Sequence, residues 1–284
     1  VFKAGEVSLS EILARTEDKR DVAGTVSAIL ADVRQNGDAA LRRYTKELDH
    51  AEPEEIEVPA SRLEQALADL EPELRAVLEE AADNIRAFHS RQIRNNFVIS
   101  EKNGVILGQK ITPIQRVALY IPGGTAAYPS TVLMNCIPAK LAGCAEIVMV
   151  SPPTCRGDVN PVILAAARLA GVDRVFRCGG AQAIAALACG TETVPRADKI
   201  VGPGNAFVAE AKRQVYGQVG IDVIAGPSEI LVVADGASDP RHVAADLLSQ
   251  AEHDGNAGAG LITDSQALAE AVSGSVDAFV EDMN

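Results

Sequence analysis

The sequence predicts an α/β protein: an N-terminal helical region followed by two units built on parallel sheet, the second shorter than the first. Three observations carry that reading. Short continuous apolar runs, such as VALYI at 117–121 and EIVMV at 146–150, alternate with helix-length segments, which is the pattern of strands buried on both faces. Three strand-to-helix junctions are glycine-rich: YIPGGTAAYPS (120–130), CGGAQAI (178–184) and VGPGNAF (201–207). Residues 1–93, by contrast, read as helices.

Taken in order, Val22, Val26, Ile29 and Val33 form one apolar stripe, which Asn36-Gly37-Asp38 ends before Asp38 caps the next helix. Leu41, Tyr44 and Leu48 continue the pattern. The acidic stretch AEPEEIEVP reads as solvated surface. A longer helix runs from about Ala60 to Phe88 with a break at Pro72, burying Leu74, Val77, Leu78, Ala81, Ile85 and Phe88. FVIS and VILGQ flank Asn103-Gly104, a hairpin over 97–109. Strands at 117–121, 146–150, 174–177 and 198–201 then alternate with helices at 130–142, 161–170, 181–189 and 205–216, and a fifth strand, IDVI, ends at 224. The second run has a strand at 230–234, a helix at 240–252 opened by the cap Asp239 and first-turn Pro240, a strand at 260–263 and a helix from about 265. The last helix keeps an apolar stripe of Leu268, Val272, Val276, Phe279 and Val280.

The formal charge of −13 over 284 residues argues against nucleic acid or an anionic membrane as partner, since both need a positive surface. Five cysteines without a C-x-x-C pair read as reduced, buried thiols rather than a disulfide scaffold. No run reaches the ~18 apolar residues of a membrane span, and the opening segment is too polar and acidic for a signal or transit peptide. The expected compartment is a reducing cytoplasm.

Glycine-rich junctions in a parallel sheet gather at the carboxyl ends of the strands, where the backbone can approach a phosphate and the next helix offers free N–H groups. The dinucleotide fingerprint G-x-G-x-x-G is absent; its nearest approach is Gly202-Pro203-Gly204-Asn205-Ala206-Phe207, with Phe207 in the place of the third glycine. The residues alone therefore support a nucleotide-sized ligand held in an unusual way. Near the chain's end, LLSQAEHDGNAG sets Gln250 and His253 one turn apart, about 60° around a helix, so both can address one object. Imidazole is a normal zinc ligand and an amide oxygen an uncommon one, so on the residues alone the default is a capped helix end with polar groups in water. Glu252 and Asp254 read equally as surface charges, and His50, His89 and His242 as structural or solvated.

RVALYIPGGTAAYPSTVLMNCIPAKLAGC, GGAQAIAALACGTETVPRADKIVGPGNAFVAEAKRQV, AGPSEILVVAD and DLLSQAEHD together resemble histidinol dehydrogenase, over essentially the whole chain. The resemblance implies two Rossmann-like units, the second incomplete, and a zinc-dependent, NAD-linked oxidation of L-histidinol through its aldehyde to L-histidine, the last two steps of histidine biosynthesis. By motif it implies that Tyr120, Gln182 and Asn205 contact NAD, that Ser228 contacts substrate, and that Gln250 and His253 bind both zinc and substrate. In the family the catalytic glutamate–histidine pair and the remaining zinc ligands, one from the partner of an intertwined homodimer, come from a segment expected beyond Asn284, so no catalytic residue is assigned within this chain. The 284 residues alone are then expected to be a truncated, weakly active or inactive form. Gly255 also stands where the family is expected to have proline. The rival reading is a non-catalytic nucleotide-binding or assembly module on the same scaffold. The expected boundaries are a helical region at 1–95, a nucleotide-side domain at 96–226 and the start of a metal-side domain at 227–284, with hairpin 97–109 assigned to either of the last two and the site in the cleft between them.

Overall fold

Side-chain alternation along the central strands sets the layers. The computed structural model describes residues 1–2, 5–8, 11, 22–123, 127–224, 228–252 and 257–283. Two compact units divide the chain: Asp21–Ile224, and Val1–Arg20 with Ala225–Asn284. In the first, β1 (Glu57–Val58), β4 (Arg116–Tyr120), β5 (Glu146–Ser151), β6 (Arg174–Arg177), β7 (Lys199–Val201) and β8 (Gly220–Ile221) form one sheet in the order β1-β6-β5-β4-β7-β8. All neighbours are parallel except the edge strand β1. Val117, Leu119, Ile147, Met149 and Val175 face one core, and Ala118, Tyr120, Val148, Val150 and Phe176 face the other. Both cores are buried, so each strand had to be apolar throughout. Each fully buried Val, Leu, Ile, Met or Phe among them contributes about 1.5–3 kcal/mol relative to an exposed one.

Helices cover both faces. α1 (Val22–Leu48) lies on the second core with α6 (Gly180–Cys189) and α7 (Ala206–Val215); α2 (Ala60–Ala68), α3 (Pro72–His89), α4 (Pro129–Leu141) and α5 (Pro161–Ala170) lie on the first. Every residue of α6 from Ala181 to Leu187 is buried, and its small side chains let α1 pack closely over it. Pro72 does separate two helices, and Gly37, at φ 49°, kinks α1 where Asn36-Gly37-Asp38 was expected to end it. Asp38, however, does not act as a helix cap. Its carboxylate accepts from the Thr193 N–H (3.3 Å) and from the Thr193 hydroxyl, tying α1 to the loop after α6.

Sequence and structure differ elsewhere too. The acidic stretch is not all solvated: Ile56 and Val58 are buried, and Glu57 takes a bidentate hydrogen bond from Arg174 (2.8 and 2.7 Å), holding β1 to β6. The strand expected at IDVI is only Gly220–Ile221, because Asp222 turns its side chain to Gly202 and Lys212. Val77 and Phe88 are exposed, as is Cys155, while Cys136 and Cys178 are buried and Cys144 and Cys189 partly so; all five thiols are free. Hairpin β2 (Phe97–Ser100) and β3 (Ile106–Gln109) forms as expected, with Phe97, Val98, Ile99, Ile106 and Leu107 exposed.

In the second unit, β9 (Ile230–Val233) pairs in parallel with β10 (Ala259–Ile262), and α8 (Pro240–Ala251) and α9 (Gln266–Met283) pack together. Asp239 caps α8 through the Arg241 N–H (2.8 Å). Val243, Ala244, Leu247, Leu268 and Val272 form its core, with Val276 and Phe279 against it and Val280 exposed. Leu231, Val233 and Ile262 are exposed. Among the described residues no helix is long and apolar enough to cross a membrane.

Among the described glycines, the closest approach to another backbone is at Gly202, just past β7. A Cβ there would lie 2.1 Å from the Tyr120 carbonyl oxygen, and φ is +116°. Gly217 shares a positive φ (+96°) but has open space around it. Gly202→Ala should therefore destabilise the protein by at least about 2 kcal/mol more than Gly217→Ala in denaturant unfolding. Equal losses would contradict the close contact.

Candidate functional site

Strand order reverses at β4: the chain steps outward through β5 and β6, then returns to lay β7 on the other side. Loops leaving β4 and β7 must therefore part in opposite directions, and a crevice opens at their carboxyl ends. Gly202 is fixed there at both polar groups. Its N–H donates to Asp222 Oδ2 (2.7 Å) and its carbonyl accepts from Lys212 Nζ (3.0 Å), while Lys212, 1 % exposed, is also ion-paired with Asp222.

A cavity of about 780 Å³ occupies this crevice. Its walls come from the ends of four strands: Tyr120, Pro122 and Gly123 after β4, Ser151 to Cys155 after β5, Gly180 to Gln182 after β6, and Asn205 with Phe207 after β7. Asn160, Gly180 and Asn205 also mark the starts of α5, α6 and α7, so three helix N-termini meet at one cavity. Such ends present unpaired N–H groups and a partial positive charge, which suits a phosphate. Among the described lining residues there is no lysine or arginine.

Three sequence-predicted residues meet here: Tyr120, Gln182 and Asn205 all line the cavity. The Tyr120 hydroxyl accepts from the Gly180 N–H (3.0 Å), and burial pushes its acidity well out of the physiological range, so the phenol keeps a proton to donate. Gln182 is 0 % exposed, yet neither its Oε1 nor its Nε2 has a hydrogen-bond partner. A buried unpaired amide costs several kcal/mol at the upper end of transfer estimates, so a polar ligand with both a donor and an acceptor is the natural complement. Asn205 uses Oδ1 to cap α7, accepting from Phe207 and Val208 N–H (both 3.1 Å), which leaves its amide nitrogen for a ligand. These groups fit a nicotinamide dinucleotide: amide-complementing groups, helix ends for a pyrophosphate and apolar walls.

The other predicted residues fall in the second unit or outside the described residues. Ser228, exposed before β9, and Gln250, partly buried near the end of α8, belong to the second unit. His253 and Gly255 lie outside the described residues, as do 124–126 in YIPGGTAAYPS and 225–227 in AGPSE. Among the described residues no group of three His, Cys, Asp or Glu side chains could hold a metal ion. The described residues thus do not make up a zinc site. His50 and His242 are exposed and His89 is half-buried.

Sequence reasoning missed the contribution of the N-terminal helix to the cavity. Thr25, Ile29, Leu48 and Asp49 all line it. Ile29 was legible as part of an apolar stripe, but Asp49 carried no motif. Burial raises the Asp49 carboxyl to about 6, with His50 opposing the shift. The unfolded value is near 3.9, so the folded state holds the extra proton: this stabilisation is present below pH 4 and lost as pH rises through 6. The melting temperature of Asp49→Asn relative to the parent chain should therefore climb by a few degrees between pH 4 and pH 8. A pH-independent difference would contradict the burial of this carboxyl.

The histidinol dehydrogenase family model matches residues 13–284. Histidinol dehydrogenase of Pseudomonas putida is 54 % identical over 258 residues, 90 % of this chain and 58 % of that protein. The Syntrophotalea carbinolica enzyme is 55 % identical over 259 residues, 90 % of this chain and 60 % of its own length. The crystal structure of histidinol dehydrogenase from Elizabethkingia anophelis superposes with a TM-score of 0.90 at 40 % identity, covering 97 % of this chain and 65 % of that one. The chain thus spans about three fifths of the length of these relatives. With that fold and these motifs in common, the chain belongs to the histidinol dehydrogenase family.

Proposed function

We propose that this chain serves an NAD-linked oxidation of L-histidinol to L-histidine, with the cavity at the ends of β4 to β7 as its NAD site. The observation that carries the reading is the unpaired, fully buried amide of Gln182 beside the Tyr120 hydroxyl and the start of α7. In this reading Gln182 and Tyr120 orient the cofactor by hydrogen bonds, Asn205 donates through its free amide nitrogen, and the N-termini of α6 and α7 receive the pyrophosphate. Bound there, NAD supplies the hydride acceptor. The apolar walls, including Ile163 and Phe207, keep water away from it.

Family membership supports zinc, a histidinol substrate, a homodimer and a cytoplasmic setting as parts of the same proposal. Within this chain Gln250 and His253 are the positions proposed for the metal and substrate, and Ser228 for substrate.

Isothermal titration of NAD into the purified chain checks the cofactor site. The parent chain should bind NAD, and Gln182→Ala should weaken it about tenfold or more, since a hydrogen-bonded ligand group loses its partners. Unchanged NAD affinity in Gln182→Ala, or no binding by the parent chain, would contradict the assignment of this cavity.

A further inference from the structure

Among the described residues that line the cavity, Asp49 carries the only charge. It stands one residue past α1, before His50 turns the chain with φ 52°, and its N–H donates to the Thr45 carbonyl (3.0 Å). Its Oδ2 is closed off from solvent and has no hydrogen-bond partner. An ionised carboxylate only accepts hydrogen bonds, so a ligand that satisfies this oxygen must bring donors.

Position says which donors. Gly157, in the loop after β5, lies against Pro53 and the Glu52 carbonyl, where a Cβ would be 3.8 and 3.9 Å away, so the segment after Asp49 adjoins that loop. In doubly wound dinucleotide units this is the end of the second strand, where an acidic residue takes ribose hydroxyls. Here Ser151 to Cys155 supply no carboxylate to the cavity, and Asp158 is committed to Arg62 (2.9 Å) and Arg177 (3.1 Å). The acid is absent from the strand end, and one arrives from the N-terminal helix instead.

We propose that Asp49 accepts the hydroxyls of the adenosine ribose and, by the same charge, excludes a cofactor bearing a 2′-phosphate. The inference rests on the cavity being an NAD site. A third phosphate there would face an unpaired carboxylate with no cation among the described lining residues to offset it, whereas the pyrophosphate has the helix ends. With burial holding the carboxyl near 6, it is ionised at pH 8.

The test titrates NAD, NADP and 2′-deoxy-NAD into the purified parent chain, Asp49→Asn and Gln182→Ala at pH 8. The parent should bind NAD at least about thirtyfold more tightly than NADP. Asp49→Asn should lose about tenfold toward NAD, narrow the NAD-to-NADP ratio to within about threefold, and bind 2′-deoxy-NAD nearly as the parent does. The deoxy ligand separates a lost ribose contact from general damage, which would weaken all three ligands alike. If Asp49→Asn keeps the parent's preference while Gln182→Ala loses NAD, the role of Asp49 is overturned and the NAD site stands. If the parent binds no NAD, both fall.

Discussion

The Tyr120 carbonyl and the Gly202 backbone meet where the sheet reverses its order, and the site is built outward from that contact. Glycine alone allows it, because any larger residue would carry a Cβ into the carbonyl. Lys212 and Asp222 then clamp Gly202 from the helix and from the end of β8. Removing Asp222 would leave Lys212 with a buried, uncompensated charge, which costs far more than an intact pair contributes. The clamp is thus better understood as fixing the loop than as adding stability.

What the fixed loop provides is a set of aligned ends. Three helices begin at the same cavity, each because its strand stops there, and Asn160 and Asn205 cap theirs with side-chain oxygens. The absence of lysine and arginine among the described lining residues follows the same logic. A pyrophosphate can be met by backbone N–H groups and helix dipoles, and leaving out mobile cations keeps the site from accepting any anion indiscriminately. The charge that does line it is negative, and it comes from outside the sheet.

The sheet was legible because its strands are buried on both faces and therefore read as unbroken apolar runs; helix 161–170 and strand 174–177 fall where the sequence places them. Short elements were harder. Ile56-Glu57-Val58 is too brief for alternation to register, and only the Arg174 partner, over a hundred residues away, shows it to be a strand. At IDVI the apolar pattern continues, but the demand of Gly202 and Lys212 for the Asp222 carboxylate ends the pairing. Tyr120, Gln182 and Asn205 were named through the family resemblance of the three glycine-rich junctions that hold them, while the junctions alone gave only a ligand-binding crevice. Asp49 did not, because a single acid after a helix looks like solvated surface until the fold lays it on a pocket. Asp38 shows the converse: a good local capping signal overridden by a tertiary partner, Thr193.

The buried Gln182 amide needs a complement, and a bound cofactor would supply it. A crystal structure of the chain grown with NAD addresses it directly. It should show the dinucleotide along the ends of β4 to β7, with both the oxygen and the nitrogen of the Gln182 amide hydrogen-bonded, to the cofactor or to a water the cofactor fixes. Density for NAD elsewhere, with the Gln182 amide still unpaired, would contradict the account.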